Sequence, residues 1–130
     1  MAAYHEFGFF DSFPPSQRRE VLLACGFVAL DEPERSLALS YLETGTPVML
    51  IAGPTFDHLD DAGRIIGPPH VLTDGKLVWT RDVAFYLRHY DLTLPDVFLA
   101  RMRELEWKQP SVNDDELEAV AHALMSRSLA

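Results

Sequence analysis

The chain has 130 residues, a length that fits one domain with a hydrophobic core. Eleven lysine and arginine residues stand against twenty aspartate and glutamate residues, so the formal net charge is -9. This acidic balance argues against direct binding to nucleic acid or to a membrane surface, and it is compatible with a basic protein partner. Because there is a single cysteine, no membrane-length apolar run and no visible signal peptide, we expect a cytoplasmic protein.

The N-terminal segment 1–13 is predicted to be an aromatic arm. Five aromatic residues fall within ten positions of it: Tyr4, Phe7, Phe9, Phe10 and Phe13. Burial in the core is the favoured interpretation because exposed apolar clusters are costly, and a role in an interface is the alternative. Pro14 and Pro15 end the arm, and a helix is predicted from about Ser16 to Cys25, with Gly26 placed to end it.

The excess acid lies mainly in residues 31–61, which sum to -6. A second helix is predicted to begin at Asp31, with Asp31 and Glu34 as a capping box and Gly45 at its C-terminal end. The apolar run 48–52 predicts a short buried strand. Residues 53–61 are expected to form an acidic loop, and residues 64–66 predict another short strand.

The clearest local signal is a hairpin over residues 71–79. Asp74 and Gly75 separate two β-prone runs, which predicts a two-residue type I′ turn. Trp79 is expected to anchor beneath the helix that follows, and Thr80 is expected to cap that helix.

The rest of the chain is predicted to be helical. Pro95 favours the start of a fourth helix, and a C-terminal helix is expected within 111–130, with Asn113 and Glu116 as a capping box. The sum is a single α+β domain over 1–130, with about five helices and a small antiparallel β-hairpin or sheet.

Signals of catalysis and of metal binding are weak. The five histidines form no HExxH pair, and the sequence lacks GxSxG, Walker A and GxGxxG motifs. The cluster Asp57–Asp61 contains suitable metal ligands, but they are too close in sequence to surround an ion, so an exposed acidic loop is favoured. We therefore predict no catalytic residue, no metal and no cofactor. The enzyme alternative is a site assembled around Asp57, His58 and His89.

The run LTDGKLVWTRDVAFYLRHYDLTLPDVFLARM, residues 72–102, resembles a stretch of small uncharacterised bacterial proteins. The shared pattern is an Asp-Gly hairpin ending in Trp, a helix with paired aromatics, then Leu-Pro and another helix. The resemblance extends over about residues 12–105. Such small acidic proteins are similar to immunity proteins of polymorphic toxin systems, which bind and neutralise a cognate toxin. The resemblance implies no catalytic motif, and Asp74, Gly75, Trp79 and Tyr86 are expected to be structural.

These observations lead us to expect a cytoplasmic immunity protein that occludes the active site of a basic toxin domain. Carboxylates would pair with basic residues around the toxin's cleft, while an apolar anchor excludes water. The residues predicted to bind the partner are Asp31, Glu32, Glu34, Asp57, Asp60 and Asp61. The alternative is a small cytoplasmic adaptor or regulatory domain, which gene context would distinguish.

Overall fold

The computed structural model describes residues 4–128 and confirms an α+β domain with five α-helices. The helices are α1 (Arg18–Cys25), α2 (Glu34–Glu43), α3 (Asp82–Tyr90), α4 (Asp96–Glu104) and α5 (Asp114–Ser128). The strands are β1 (His5–Phe7), β2 (Thr46–Met49), β3 (Thr55–Phe56), β4 (Ile65–Gly67), β5 (Val71–Thr73) and β6 (Leu77–Thr80). Within residues 4–128, no helix is both long enough and apolar enough to cross a bilayer.

The main sheet contains the predicted antiparallel hairpin, and one parallel edge strand, β1, makes the sheet mixed. Its four strands lie in the order β1-β6-β5-β2, and β1 runs parallel to β6 with Phe7 opposite Trp79. Strands β5 and β6 form the predicted hairpin. The strand predicted to be buried over 48–52 instead covers Thr46–Met49, includes Pro47 and is only partly buried, with Leu50 just beyond it 73% exposed. Because β2 lies at the edge of the sheet, the missing N–H of Pro47 costs little there.

Successive side chains of β5 and β6 point to opposite faces of the sheet, and this divides the core into two layers. Leu72, Leu77 and Trp79 face helices α1 to α4, and Trp79 is fully buried with its indole N–H donating to the Leu42 carbonyl at 3.0 Å. Val71 and Val78 face the opposite way, where they pack against α5. The sheet is therefore covered by helices on both faces, as period-two alternation of apolar residues requires.

The hairpin turn is shifted by one residue from the predicted position. The Asp74 N–H donates to the Leu77 carbonyl at 3.3 Å, so the two loop residues are Gly75 and Lys76. Gly75 has a φ of 100°, while Lys76 is not in the positive-φ region, so the type I′ prediction is wrong. Asp74, which was predicted to be one of the two loop residues, is buried just after the end of β5. Its Oδ1 accepts hydrogen bonds from the N–H groups of Lys76 and Leu77 at 2.9 and 2.7 Å.

The Asp74 carboxylate also connects three distant parts of the chain. Its Oδ2 accepts hydrogen bonds from the Tyr41 hydroxyl and from Arg101 Nε, the latter at 3.0 Å. Burial and the Asp74 carboxylate raise the pKa of Tyr41 above its ordinary value, so the hydroxyl remains a donor. Asp74 thus holds the turn, α2 and α4 together, as the structural expectation for this residue requires.

The predicted start of α2 is wrong, whereas its predicted end is confirmed, because Gly45 directly follows the C-terminal cap residue Thr44. Helix α2 starts at Glu34 rather than Asp31, and no side chain caps it, because the Glu34 carboxylate pairs with Arg103 instead of a backbone N–H. Gly45 has no positive φ, and a Cβ there would lie 2.5 Å from the Trp79 ring. The residue is therefore small because the indole approaches it closely.

The other helix ends agree with prediction apart from the cap of α3. Thr80 does not cap that helix, because its Oγ1 accepts the Phe9 N–H at 2.9 Å and Arg81 occupies the capping position. The capping box of α5 is confirmed: the Glu116 N–H donates to Asn113 Oδ1 at 2.8 Å, and the Asn113 N–H donates to Glu116 Oε1 at 3.3 Å.

The described part of the aromatic arm contributes mainly to the core. Phe10 is fully buried and makes an edge-to-face contact with Tyr86, with ring centroids 5.5 Å apart. Phe7 packs against both Phe10 and Phe98 in the same geometry. Phe13 lies at the end of the arm and is exposed, so it stands outside this cluster.

Candidate functional site

Strands β3 and β4 form a separate two-stranded antiparallel unit, residues 55–67, which we call the acidic hairpin. Its loop is closed at the base by the Asp57 N–H, which donates to the Arg64 carbonyl at 2.7 Å. At the tip, the Gly63 N–H donates to the Asp60 carbonyl at 2.9 Å, and Asp60 Oδ1 accepts the Ala62 N–H at 3.1 Å. These bonds give the loop a defined backbone path.

Asp57 is buried, which corrects the prediction of an exposed loop carboxylate. Its Oδ2 accepts hydrogen bonds from the Tyr90 hydroxyl at 2.6 Å and from Arg64 at 2.9 Å, and its Oδ1 accepts the Leu59 N–H at 2.9 Å. Burial alone would raise the pKa of Asp57, but these hydrogen bonds hold it below its usual value. Asp57 therefore positions the loop and has its carboxylate engaged within the protein.

The outer surface of the acidic hairpin combines apolar and acidic side chains. Phe56 and Ile65 lie directly opposite each other across β3 and β4, and they are 47% and 64% exposed. Asp60 is half-buried, while the Asp61 side chain is fully exposed and lies 3.6 Å from Arg19. An exposed apolar pair with carboxylates in the same loop has the composition of a protein-binding surface.

The acidic hairpin is fastened to the body of the domain at several points. Arg19 of α1 donates to the Leu59 carbonyl at 3.2 Å. The His58 N–H donates to the Tyr86 hydroxyl at 2.9 Å, and His58 Nε2 lies 2.7 Å from Asp11 Oδ1. Arg64 also lies over the Phe85 ring, 5.0 Å from its centroid. The hairpin is therefore held in one orientation.

The other predicted binding residues lie at the start of α2. Asp31 and Glu32 are exposed, and Glu32 accepts a hydrogen bond from Ser36 at 2.6 Å. Glu34 forms a bidentate pair with Arg103 at 2.7 and 2.9 Å, so its charge is neutralised within the protein.

The two acidic segments meet the same end of α3. Arg35, next to Glu34, pairs with Asp91 at 2.8 Å, while Tyr90 bonds Asp57 of the hairpin. Among the described residues, no hydrogen bond or ion pair connects the two acidic segments directly. Whether they form one negative face stays a prediction.

A cleft of about 380 Å³ adjoins the acidic hairpin. Its walls come from the N-terminal arm, residues 49–54, the start of α3 and Leu124 of α5. Two carboxylates line it: Asp11, which also binds His58, and Asp82, the first residue of α3. Within the part of the chain that the structure describes, neither oxygen of Asp82 accepts a hydrogen bond of ordinary geometry, and the residue is only 4% exposed. Burial raises the pKa of Asp82 to about 6, to which the Asp11 charge also contributes.

Among the described residues, no hydrogen bond or ion pair joins Asp57, His58 and His89, the residues of the enzyme alternative, to one another. His58 contacts Asp11, whereas the Asp57 carboxylate accepts hydrogen bonds from Arg64 and Tyr90. His89 stacks on Phe85, with ring centroids 4.5 Å apart, and lines a different cleft. In the part of the chain that the structure describes, no group of three or more His, Cys, Asp or Glu side chains is arranged to hold a metal ion.

Sequence reasoning missed the Phe56–Ile65 pair, the Asp11–His58 contact and the buried state of Asp82. The Phe56–Ile65 pair had a local signal in the sequence. An apolar residue stands next to an acidic residue on one side of the loop, in Phe56-Asp57, and next to a basic residue on the other side, in Arg64-Ile65. The other two depend on tertiary packing, since Asp11 and His58 are 47 residues apart. Comparisons with protein-family models, curated protein sequences and solved structures give no significant match to this chain.

Proposed function

We propose that this protein is an immunity-type inhibitor that binds a basic toxin domain through the acidic hairpin and occludes its active site. The observation that supports this most is the exposed Phe56–Ile65 pair in the same hairpin as Asp60 and Asp61. The resemblance of residues 72–102 to small acidic bacterial proteins, stated above, is a second support.

The apolar pair would supply the anchor of the interface. Full burial of a Phe or Ile side chain is worth about 1.5–3 kcal/mol, so burying the exposed parts of Phe56 and Ile65, 47% and 64%, would contribute about 0.7–1.9 kcal/mol each. Anchors of this kind bind well when the surrounding contacts exclude water from them.

The fixed geometry of the hairpin lowers the entropic cost of binding. Asp57 is held by three hydrogen bonds, and Arg19 and Asp11 attach the loop to the domain. A loop that is ordered before binding loses little conformational freedom when the partner arrives.

The net charge of -9 would guide association with a basic partner. Enzymes that act on anionic substrates have basic clefts, so an acidic hairpin inserted there would imitate the charge of the substrate. Asp61 is the most accessible of the hairpin carboxylates for this role, and Asp60 accompanies it at the tip. Glu34 and Asp57 are already paired internally, so they would add less.

Co-expression with the toxin domain encoded by the neighbouring gene tests this function. Wild-type protein is expected to restore growth and to co-purify with the toxin domain. Phe56→Ala with Ile65→Ala is expected to weaken both. Leu23→Ala with Val28→Ala is the matched control, because those side chains are 50% and 69% exposed elsewhere on the surface.

Equal protection by both double variants would contradict the role of the acidic hairpin. Failure of the wild-type protein to protect against the neighbouring toxin domain would contradict the immunity function itself. Binding to a host protein through the hairpin, without protection, would instead identify the adaptor alternative.

A further inference from the structure

We propose that the cleft between the N-terminal arm and α3 binds an organic cation, an amine or guanidinium group on an apolar stem, with Asp82 as its carboxylate partner. This inference does not depend on the proposed function. It rests on the geometry of Asp82 and on the composition of the cleft.

Asp82 is a buried carboxylate that forms no ion pair with any of the described residues. Both oxygens have almost no contact with solvent, and neither accepts a hydrogen bond of ordinary geometry. The Thr80 hydroxyl oxygen accepts the Phe9 N–H at 2.9 Å, and the same hydroxyl lowers the pKa of Asp82, but it is a neutral group and cannot balance the charge of the carboxylate. Buried charges in proteins are normally paired, so an unpaired one at the wall of a cleft indicates a missing cationic group.

The charges around the cleft favour a cation over an anion. Asp11 and Asp82 are both acidic, and neither Lys nor Arg is among the described residues that line the cleft. His58 is not among the described residues that line the cleft, and its Nε2 lies 2.7 Å from Asp11 Oδ1. Arg18 approaches the same carboxylate at 3.8 Å, which leaves Asp82 as the carboxylate without a basic partner. Because the pKa of Asp82 is about 6, the group is ionised at about pH 7.5 and can pair with a cation.

The rest of the lining is suited to an alkyl stem. The apolar residues that line the cleft include Phe9, Phe10, Met49, Ile51 and Leu124. The volume of about 380 Å³ is within the range of small-molecule sites, which combine apolar walls with a few polar groups. An aliphatic amine would place its stem against these walls and its charged end at Asp82.

Two sources could supply this chemistry: a free amine or a Lys or Arg side chain of a bound protein. Titration of the wild-type protein with n-pentylamine at about pH 7.5, followed by calorimetry and by the thermal midpoint, tests the shared chemistry. The neutral control is n-pentanol, which has the same stem without the charge. We expect saturable binding and a raised midpoint with the amine and neither effect with the alcohol.

Asp82→Asn is expected to weaken amine binding at least ~10-fold, the factor that corresponds to losing one favourable charge contact. Asp115→Asn, an exposed carboxylate on α5, is the matched control and should bind the amine as the wild type does. Equal response to amine and alcohol, or undiminished amine binding by Asp82→Asn, would overturn the proposal. The comparison of amine and alcohol binding to the wild-type protein tests the cation site even if a variant fails to fold.

A competition arm distinguishes the two sources. If the toxin domain displaces n-pentylamine, the cation is a side chain of that protein; if both bind together, the cleft takes a free amine. Either result supports the cation site. Because the amine arm needs no protein partner, its outcome is separate from that of the growth test for the proposed function.

Discussion

Asp82→Asn should stabilise the protein at neutral pH and do so much less in acid. Burial raises the pKa of this carboxyl from 3.8 in the unfolded chain to about 6 in the folded one. The folded state therefore retains a proton that the unfolded state has released between about pH 4 and pH 6. As the pH rises through this window, ionisation of the buried group costs stability, and the loss is complete above about pH 6.

The size of the effect follows from the shift of about two units. Each unit corresponds to 1.36 kcal/mol, so the ionised group lowers the free energy of unfolding by about 3 kcal/mol at neutral pH. Asparagine stays neutral at every pH and resembles the protonated acid in shape. The difference in the free energy of unfolding between Asp82→Asn and the wild type should therefore grow in favour of the variant by about 3 kcal/mol as the pH rises from about 4 to about 8.

Urea denaturation of both proteins across this range measures the difference directly, because the titration of most other groups cancels between them. Asp115→Asn serves as the control, since an exposed carboxylate should give a difference that is nearly independent of pH. A stability difference between wild type and Asp82→Asn that does not change with pH would refute the reasoning that burial destabilises the ionised form.

Three other predictions concern the fold. Gly75→Val should lower the melting temperature clearly, because a φ of 100° is strained for a β-branched residue, whereas Lys76→Val in the same loop should have little effect; equal effects would mean that backbone strain does not govern this turn. Asp74→Ala should cost about 3–5 kcal/mol in chemical denaturation, because it leaves the half-buried Arg101 without its carboxylate, and a loss below about 1 kcal/mol would show that the cluster contributes little. Treatment with a chelator should leave the melting temperature unchanged, and a fall reversed by a divalent ion would reveal a metal site.

The features that the sequence predicted well depend on neighbouring residues. The capping box of Asn113 and Glu116 involves two positions one helical turn apart, and Gly26 ends α1 with a φ of 85°. The burial of Trp79 is confirmed, because a large aromatic residue at the end of a hairpin has few alternatives to burial, although its ring contacts are with Tyr41 of α2 and Phe98 of α4. The α+β class follows from such local signals together with the order of the elements.

The features that were missed depend on residues far apart in the chain. The start of α2 differs from prediction because Glu34 is taken up by Arg103, 69 residues away. The parallel pairing of β1 with β6 depends on the whole fold between them. Asp57 was interpreted as an exposed carboxylate, but Tyr90 from α3 reaches into the hairpin and buries it. Local patterns contain no information on such partners.

The most direct test of the proposed function is the rate at which the acidic hairpin captures its partner. Asp60→Lys with Asp61→Lys reverses the charges at the tip, and Asp115→Lys with Glu118→Lys makes the same change in charge on α5, which packs on the other face of the main sheet. Asp57 is left intact because it holds the loop in place. Both variants should retain most of the stability of the wild type, since exposed charges contribute little and Asp60→Lys removes a single hydrogen bond at the loop tip, from the Ala62 N–H.

Association with the neighbouring toxin domain is then followed by stopped flow at low and high salt. Steering raises association rates by about 10–1000-fold and is screened by salt, so the hairpin variant should bind about 10-fold more slowly at low salt, with a weaker salt dependence. The α5 variant should remain much closer to the wild-type rate. Equal association rates and equal salt dependence for the hairpin variant and the wild type would contradict the acidic hairpin as the binding surface.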